Sequence, residues 1–101
     1  MNDNDRKLVV QIVGQVLIGD GILADNEREF LDELVMRLGM SGDAKKEALK
    51  GISVDSPVED RVRQLSAPAR AQLMVEVEKA AAIDGDGSEQ TIVNRIRGAL
   101  A

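Results

Sequence analysis

Four acidic residues recur at two similar places in the chain: Asp20 and Glu27, then Asp84 and Glu89. The first pair lies in Gly19-Asp20-Gly21-Ile22-Leu23-Ala24-Asp25-Asn26-Glu27. The second lies in Ile83-Asp84-Gly85-Asp86-Gly87-Ser88-Glu89. Each stretch joins two apolar-periodic segments. Asp-Gly is a turn signal, and a carboxylate in the first turn of a helix is favoured by the macrodipole. If the two halves pack about a pseudo-twofold axis, the four carboxylates converge, with Asp25 and Asp86 beside them. Like charges that close repel, so such a cluster needs a cation or raised pKa values. Oxygen ligands suit Ca²⁺, Mg²⁺ or Mn²⁺. Zn²⁺ would bind without the His or Cys that normally favours it. The alternative is that the Asp-Gly pairs are only turns and the glutamates only complement helix dipoles.

An EF-hand does not fit. Counting from Asp84, Asp86 and Ser88 fall at loop positions three and five. The Gly required at six is Glu89, and the Glu required at twelve is Arg95. From Asp20 the pattern fails sooner, at Ile22. Catalysis has little support either, since the chain has no His and no Cys. Ser41, Ser56, Ser66 and Ser88 all read as helix N-caps rather than nucleophiles. Asp55-Ser56 is similar to the prosthetic-group serine of acyl carrier proteins. There Asp-Ser-Leu opens a helix, whereas here Pro57 follows and a capping box explains the serine better.

The elements that must position the acids are helical. β-Branched residues fall on helical spacing, and there is no strand-like alternation. A first helix runs from about Asp5 to Ile18, capped by Asp3 or Asn4, with Val9, Ile12, Val13, Val16 and Leu17 as its stripe. Leu8, Val10 and Ile18 widen that stripe, so this helix is expected to be buried on more than one side. Asp25 caps a second helix to Leu38, whose stripe is Phe30, Leu31, Leu34, Val35 and Leu38; Gly39 ends it. Ser41 or Asp43 opens a short helix to Lys50 with Leu49 as its apolar residue, and Gly51 closes it. Ser56-Pro57-Val58-Glu59 is a capping box with Pro at the first helical position. It opens a short helix bearing Val58, Val62 and Leu65. Ser66-Ala67-Pro68 starts another, to about Ile83, with Ala69, Leu73, Val77, Ala80 and Ala81. Ser88 caps a last helix with Ile92, Val93, Ile96 and Leu100.

The two ends read as copies. Adding 64 to Val9, Val13, Val16 and Leu17 gives Leu73, Val77, Ala80 and Ala81, and takes Asp20-Gly21 to Asp84-Gly85. Adding 62 takes Glu27, Phe30, Leu31, Leu34 and Leu38 to Glu89, Ile92, Val93, Ile96 and Leu100. The shared Asp-Gly and Glu lift this match above helical periodicity alone.

Composition sets the class. The chain has 101 residues, 44% hydrophobic and 31% charged, enough for one domain with one core and too apolar for disorder. Phe30 is the sole aromatic residue, so the core must be aliphatic. Met36, Met40 and Met74 are expected to help fill it. Gly14 and Gly98, costly inside helices, are expected to mark a close crossing or, for Gly98, a frayed end. Arg61, Arg63, Arg70 and Lys45-Lys46 read as solvated faces. The net charge of -5 and the absence of a basic stripe argue against nucleic acid. No apolar run approaches the ~18 residues of a membrane span, and the acidic start is unlike a signal peptide. The expected location is the cytoplasm, with no direct membrane insertion.

At the acidic turns the chain resembles the tellurite-resistance TerB-like family, which also supplies a domain of some membrane-anchored DnaJ-type co-chaperones. The pattern is an apolar helix, Asp-Gly-x-Ile/Leu, an acidic first turn, and an apolar helix ending in Gly. Asp20 to Leu31 follow it, with Leu23 at the aliphatic position and Glu27 at the acidic one, and Leu38-Gly39-Met40-Ser41 continues it. Asp84 to Glu89 resemble its second acidic turn, with Gly87 at the aliphatic position and Thr91 where an acid is expected. The resemblance implies an all-α bundle of about six helices with pseudo-twofold-related halves. It implies a divalent cation at Asp20, Glu27, Asp84 and Glu89 and no organic cofactor. It further implies a non-enzymatic stress-response role through protein partners, with the chain peripheral to the inner face of the membrane. The competing expectation is a metal-independent helical interaction domain whose acidic turns are only caps.

Overall fold

A computed structural model describes residues 2–18, 25–40, 42–52, 58–84 and 89–100, with the side chains at 83–84 and 89–92 excepted. Its elements are α1 (Asp3–Leu17), α2 (Asp25–Arg37), α3 (Gly42–Lys50), α4 (Val58–Arg63), α5 (Ala67–Asp84) and α6 (Glu89–Leu100). Among the described residues there is no strand. The expected all-α bundle of six helices is what forms.

α1 is the centre of the molecule. It packs on all five other helices, most extensively on α5. Eleven of its residues are buried, which is why its apolar residues exceed one stripe. Leu73, Val77 and Ala80 of α5, Phe30, Leu31, Leu34 and Val35 of α2, and Val93 and Ile96 of α6 complete a core that is aliphatic apart from Phe30. Each such Val, Leu or Ile contributes ~1.5–3 kcal/mol by leaving water.

Helix ends are closed by local chemistry, with some differences from the sequence reading. α1 is capped by Asn2, not Asp3 or Asn4. Asn2 Oδ1 accepts from the Asp5 backbone N–H at 2.8 Å, and Asp5 Oδ2 accepts from the Asn2 N–H at 3.4 Å. This is a capping box, and it starts the helix at Asp3, two residues before the expected Asp5. Asp25 is the first helical residue of α2 rather than its cap. Gly39, at φ +72°, closes α2; its N–H donates to Met36 O, and the Met40 N–H donates to Val35 O. α3 opens at Gly42, and its buried residue is Ala48, with Leu49 only half-buried. The expected caps Ser41, Ser56 and Ser88, and the capping box at Ser56-Pro57, lie outside the described residues. Val58, Val62 and Leu65 are buried as expected.

Gly14 is a close crossing: a Cβ there would run into the Ile52 side chain, 2.8 Å from its Cγ1. Gly98 has open space around it. Met40 and Met74 pack against the core, but Met36 is 78% exposed. It lies opposite the α2 stripe of Leu31, Leu34 and Val35. Arg61 is not on a solvated face. It is half-buried, donates to Gly51 O at 2.6 Å, and has its guanidinium pKa lowered by desolvation.

The internal repeat carries through to packing. α1 and α5 begin 64 residues apart, at Asp3 and Ala67. Val9 and Leu73, Val13 and Val77, Val16 and Ala80 are all buried; so, 62 apart, are Leu31 and Val93, and Leu34 and Ile96. α1 packs on α2 and α6, and α5 packs on α6 and α2. α3 and α4 have no counterparts among the described residues.

Candidate functional site

The direction of the two long helices decides where the acidic turns go. Asp5, in the first turn of α1, is 2% exposed. Its carboxylate accepts from the Ser66 hydroxyl at 2.7 Å and the Ser66 N–H at 3.1 Å, at the start of α5. The helices are therefore joined at their N-termini and lie alongside each other, so they run parallel. Parallel helices place their C-terminal ends, Leu17 and Asp84, at the same end of the pair. The bonds from the Ser66 hydroxyl, then its N–H, hold the Asp5 pKa below its ordinary value despite burial.

Of the four candidate ligands, Glu27 is the one whose side chain is described. It stands in the first turn of α2 and is 3% exposed. Asp25 and Glu29, one residue away on either side of its neighbours, are exposed. Asp84 is the last residue of α5 and Glu89 the first of α6, and their side chains lie outside the described set, as does Asp20. Among the described residues no three acidic side chains gather in one place. The donor set is carboxylate oxygen throughout, which fits a hard divalent cation. A buried carboxylate needs a partner charge or hydrogen bonds, and Glu27 has an interaction partner within the chain.

Sequence reasoning missed two buried carboxylates. One is Asp5. The other is Glu76 of α5, which is fully buried. Arg37, at the end of α2, donates to it through two nitrogens at 2.7 and 2.9 Å, and Gln72 donates at 3.0 Å. Both acids stand on apolar stripes, Asp5 four residues before Val9 and Glu76 three after Leu73. A carboxylate in register with buried positions was the available signal. Subtracting 64 from Glu76 gives Ile12, which is also fully buried, so the repeat is ionic on one side and apolar on the other.

Two shallow grooves flank α3. One, of about 490 Å³, is polar, between the start of α1 and α3, and is crossed by the Lys7–Glu47 pair at 3.4 Å. The other, of about 470 Å³, is lined by Ile18, Leu31, Leu49 and Ile52 with Arg28 and Asp32. Neither gathers groups that would act as nucleophile and base. Among the described residues no helix is long and apolar enough to cross a membrane. No family model matches the chain, and no curated protein or solved structure is significantly similar to it.

Proposed function

We propose that the chain is a non-enzymatic helical module that binds one divalent cation at its acidic turns and acts through protein partners, in the manner of TerB-like stress-resistance proteins. Asp20, Glu27, Asp84 and Glu89 would hold the ion, which would supply charge neutralisation and tie the two turns together. The observation that carries this reading is the burial of Glu27. An acid that only complements a helix dipole does not need burial, and the neighbouring Asp25 in the same first turn is exposed. The parallel course of α1 and α5 supports it, because the two helix ends after which the acidic stretches follow in sequence lie on the same side.

The test is thermal unfolding in chelator and then with Ca²⁺, Mg²⁺, Mn²⁺ and Zn²⁺ in turn. An ion that binds the folded state adds ~2.7 kcal/mol at a hundredfold over its Kd. A selective rise in Tm that Glu27→Gln abolishes supports the site and names the ion. No rise with any ion overturns it. The second reading, a cation-independent interaction domain, would be favoured by a contiguous exposed apolar patch; the large exposed hydrophobics among the described residues are Met36 and Val75.

A further inference from the structure

α3 is the helix with least to hold it. Its buried side chain is Ala48, whereas α2 buries Phe30, Leu31, Leu34 and Val35, and the shorter α4 buries Val58 and Val62. α4 packs on both α1 and α6; α3 packs extensively only on α1. A helix of nine residues does not form alone in water, so α3 is helical only while it is docked. The docking is loose on both sides. The groove of about 490 Å³ reaches in beside Asp43, Ala44 and Glu47, and the groove of about 470 Å³ beside Leu49.

What fastens the body of α3 is charge. Glu47 accepts from Lys7 of α1 at 3.4 Å, and Lys45 reaches Asp32 of α2 at 3.0 Å. All four side chains are more than a third exposed, so both pairs are weak and screened by salt. The exit of the helix is fastened differently. Arg61 of α4 donates to Gly51 O at 2.6 Å, Ile52 packs on Gly14, and Gly51 lies against the Gln11 side chain. These contacts are partly or fully buried, where screening is much weaker.

We propose that α3 is a strap that undocks from α1 as a unit while the other helices stay folded. It pivots on the exit pinned at Gly51 and Ile52, and screening of the Lys7–Glu47 and Lys45–Asp32 pairs sets how often it opens. Opening frees Lys7 and Asp32, so the surface the chain presents depends on ionic strength. Elements that move are drawn from the least stable part of a fold. The inference goes beyond the reading of the chain as a cation-binding module and does not depend on it.

The test is native-state hydrogen exchange of the full isotope-labelled chain in chelator, which keeps the result apart from that of the cation site. The reporters are the amides of Ala48, Leu49 and Lys50 in α3, against those of Val13 in α1 and Val77 in α5. Corrected for intrinsic rates, the α3 amides should exchange ~100-fold or more faster than the other two at low salt, with little dependence on denaturant. Raising the ionic strength from ~0.01 M to ~1 M shortens the Debye length from about 30 to about 3 Å. That change should speed α3 exchange several-fold more than exchange at Val13 and Val77. Lys7→Ala with Lys45→Ala should give the fast exchange already at low salt and remove its salt dependence, with little change in Tm. Exchange of α3 with the protection and denaturant slope of Val13 means that it opens only with the whole molecule, and overturns the proposal. So does α3 exchange that neither salt nor the two alanines change, since the ion pairs are then not what fastens it.

Discussion

Asp5 and Ser66, 61 residues apart in sequence, form a clasp in which one carboxylate serves two helix starts. It completes the capping box of α1 through Asn2, and it accepts the hydroxyl and backbone N–H of Ser66 at the head of α5. No cation takes part in these bonds; the donors are a hydroxyl and backbone N–H groups.

The clasp makes stability depend on pH with a definite sign. The folded pKa of Asp5 lies below its ordinary value of 3.8, chiefly through the Ser66 hydroxyl. Its contribution is therefore complete above the unfolded value and is lost as pH falls through the folded one. Asp5→Asn should destabilise by ~1–3 kcal/mol at pH 7. Denaturant midpoints measured from pH 7 to pH 3 should show the gap between wild type and Asp5→Asn narrowing below about pH 4.

Arg37→Ala strips the fully buried Glu76 of its two guanidinium bonds. It should cost ~3–5 kcal/mol, although Arg37 itself is 43% exposed. Replacing both, Arg37→Met with Glu76→Leu, should recover most of that loss, because the counterpart of Glu76 in the repeat is Ile12. A double-mutant cycle in urea measures the difference; equal losses in the single and double variants would refute it.

Two glycines should respond in opposite directions. Gly14→Ala forces a methyl against Ile52 and should destabilise by ~1–3 kcal/mol. Gly98→Ala meets nothing and should stabilise by roughly 0.5–1 kcal/mol. Urea unfolding of the two variants decides both.

At the acidic turns, Glu27→Gln should remove any cation-induced rise in Tm while Glu29→Gln, at an exposed neighbour, should leave it intact. Calorimetric scans with and without the ion compare them.

The six helices were legible because Val9, Val13, Leu31, Leu34, Leu73 and Val77 repeat at helical spacing and are all buried. Periodicity also reported the duplication. It could not report the partners of a buried charge: Ser66 and Arg37 are distant in sequence from Asp5 and Glu76, and only the fold brings them near. Short α3 carries too few turns for a period, so the sequence singles out Leu49 as its apolar residue and does not single out Ala48, which is the buried one. Met36 was read by residue type, though its position opposite Leu34 placed it outside. Of the candidate site, Glu27 is the part that can be compared with the sequence, and its burial exceeds what a first-turn acid requires.

The central place of α1 has a consequence during synthesis. It is the first of the six helices to leave the ribosome, and eleven of its residues must end up buried. Its principal cover, α5, and α6 follow it only after α2, α3 and α4. Until then α1 is an aliphatic surface waiting in water, most open to chaperones and self-association in that interval.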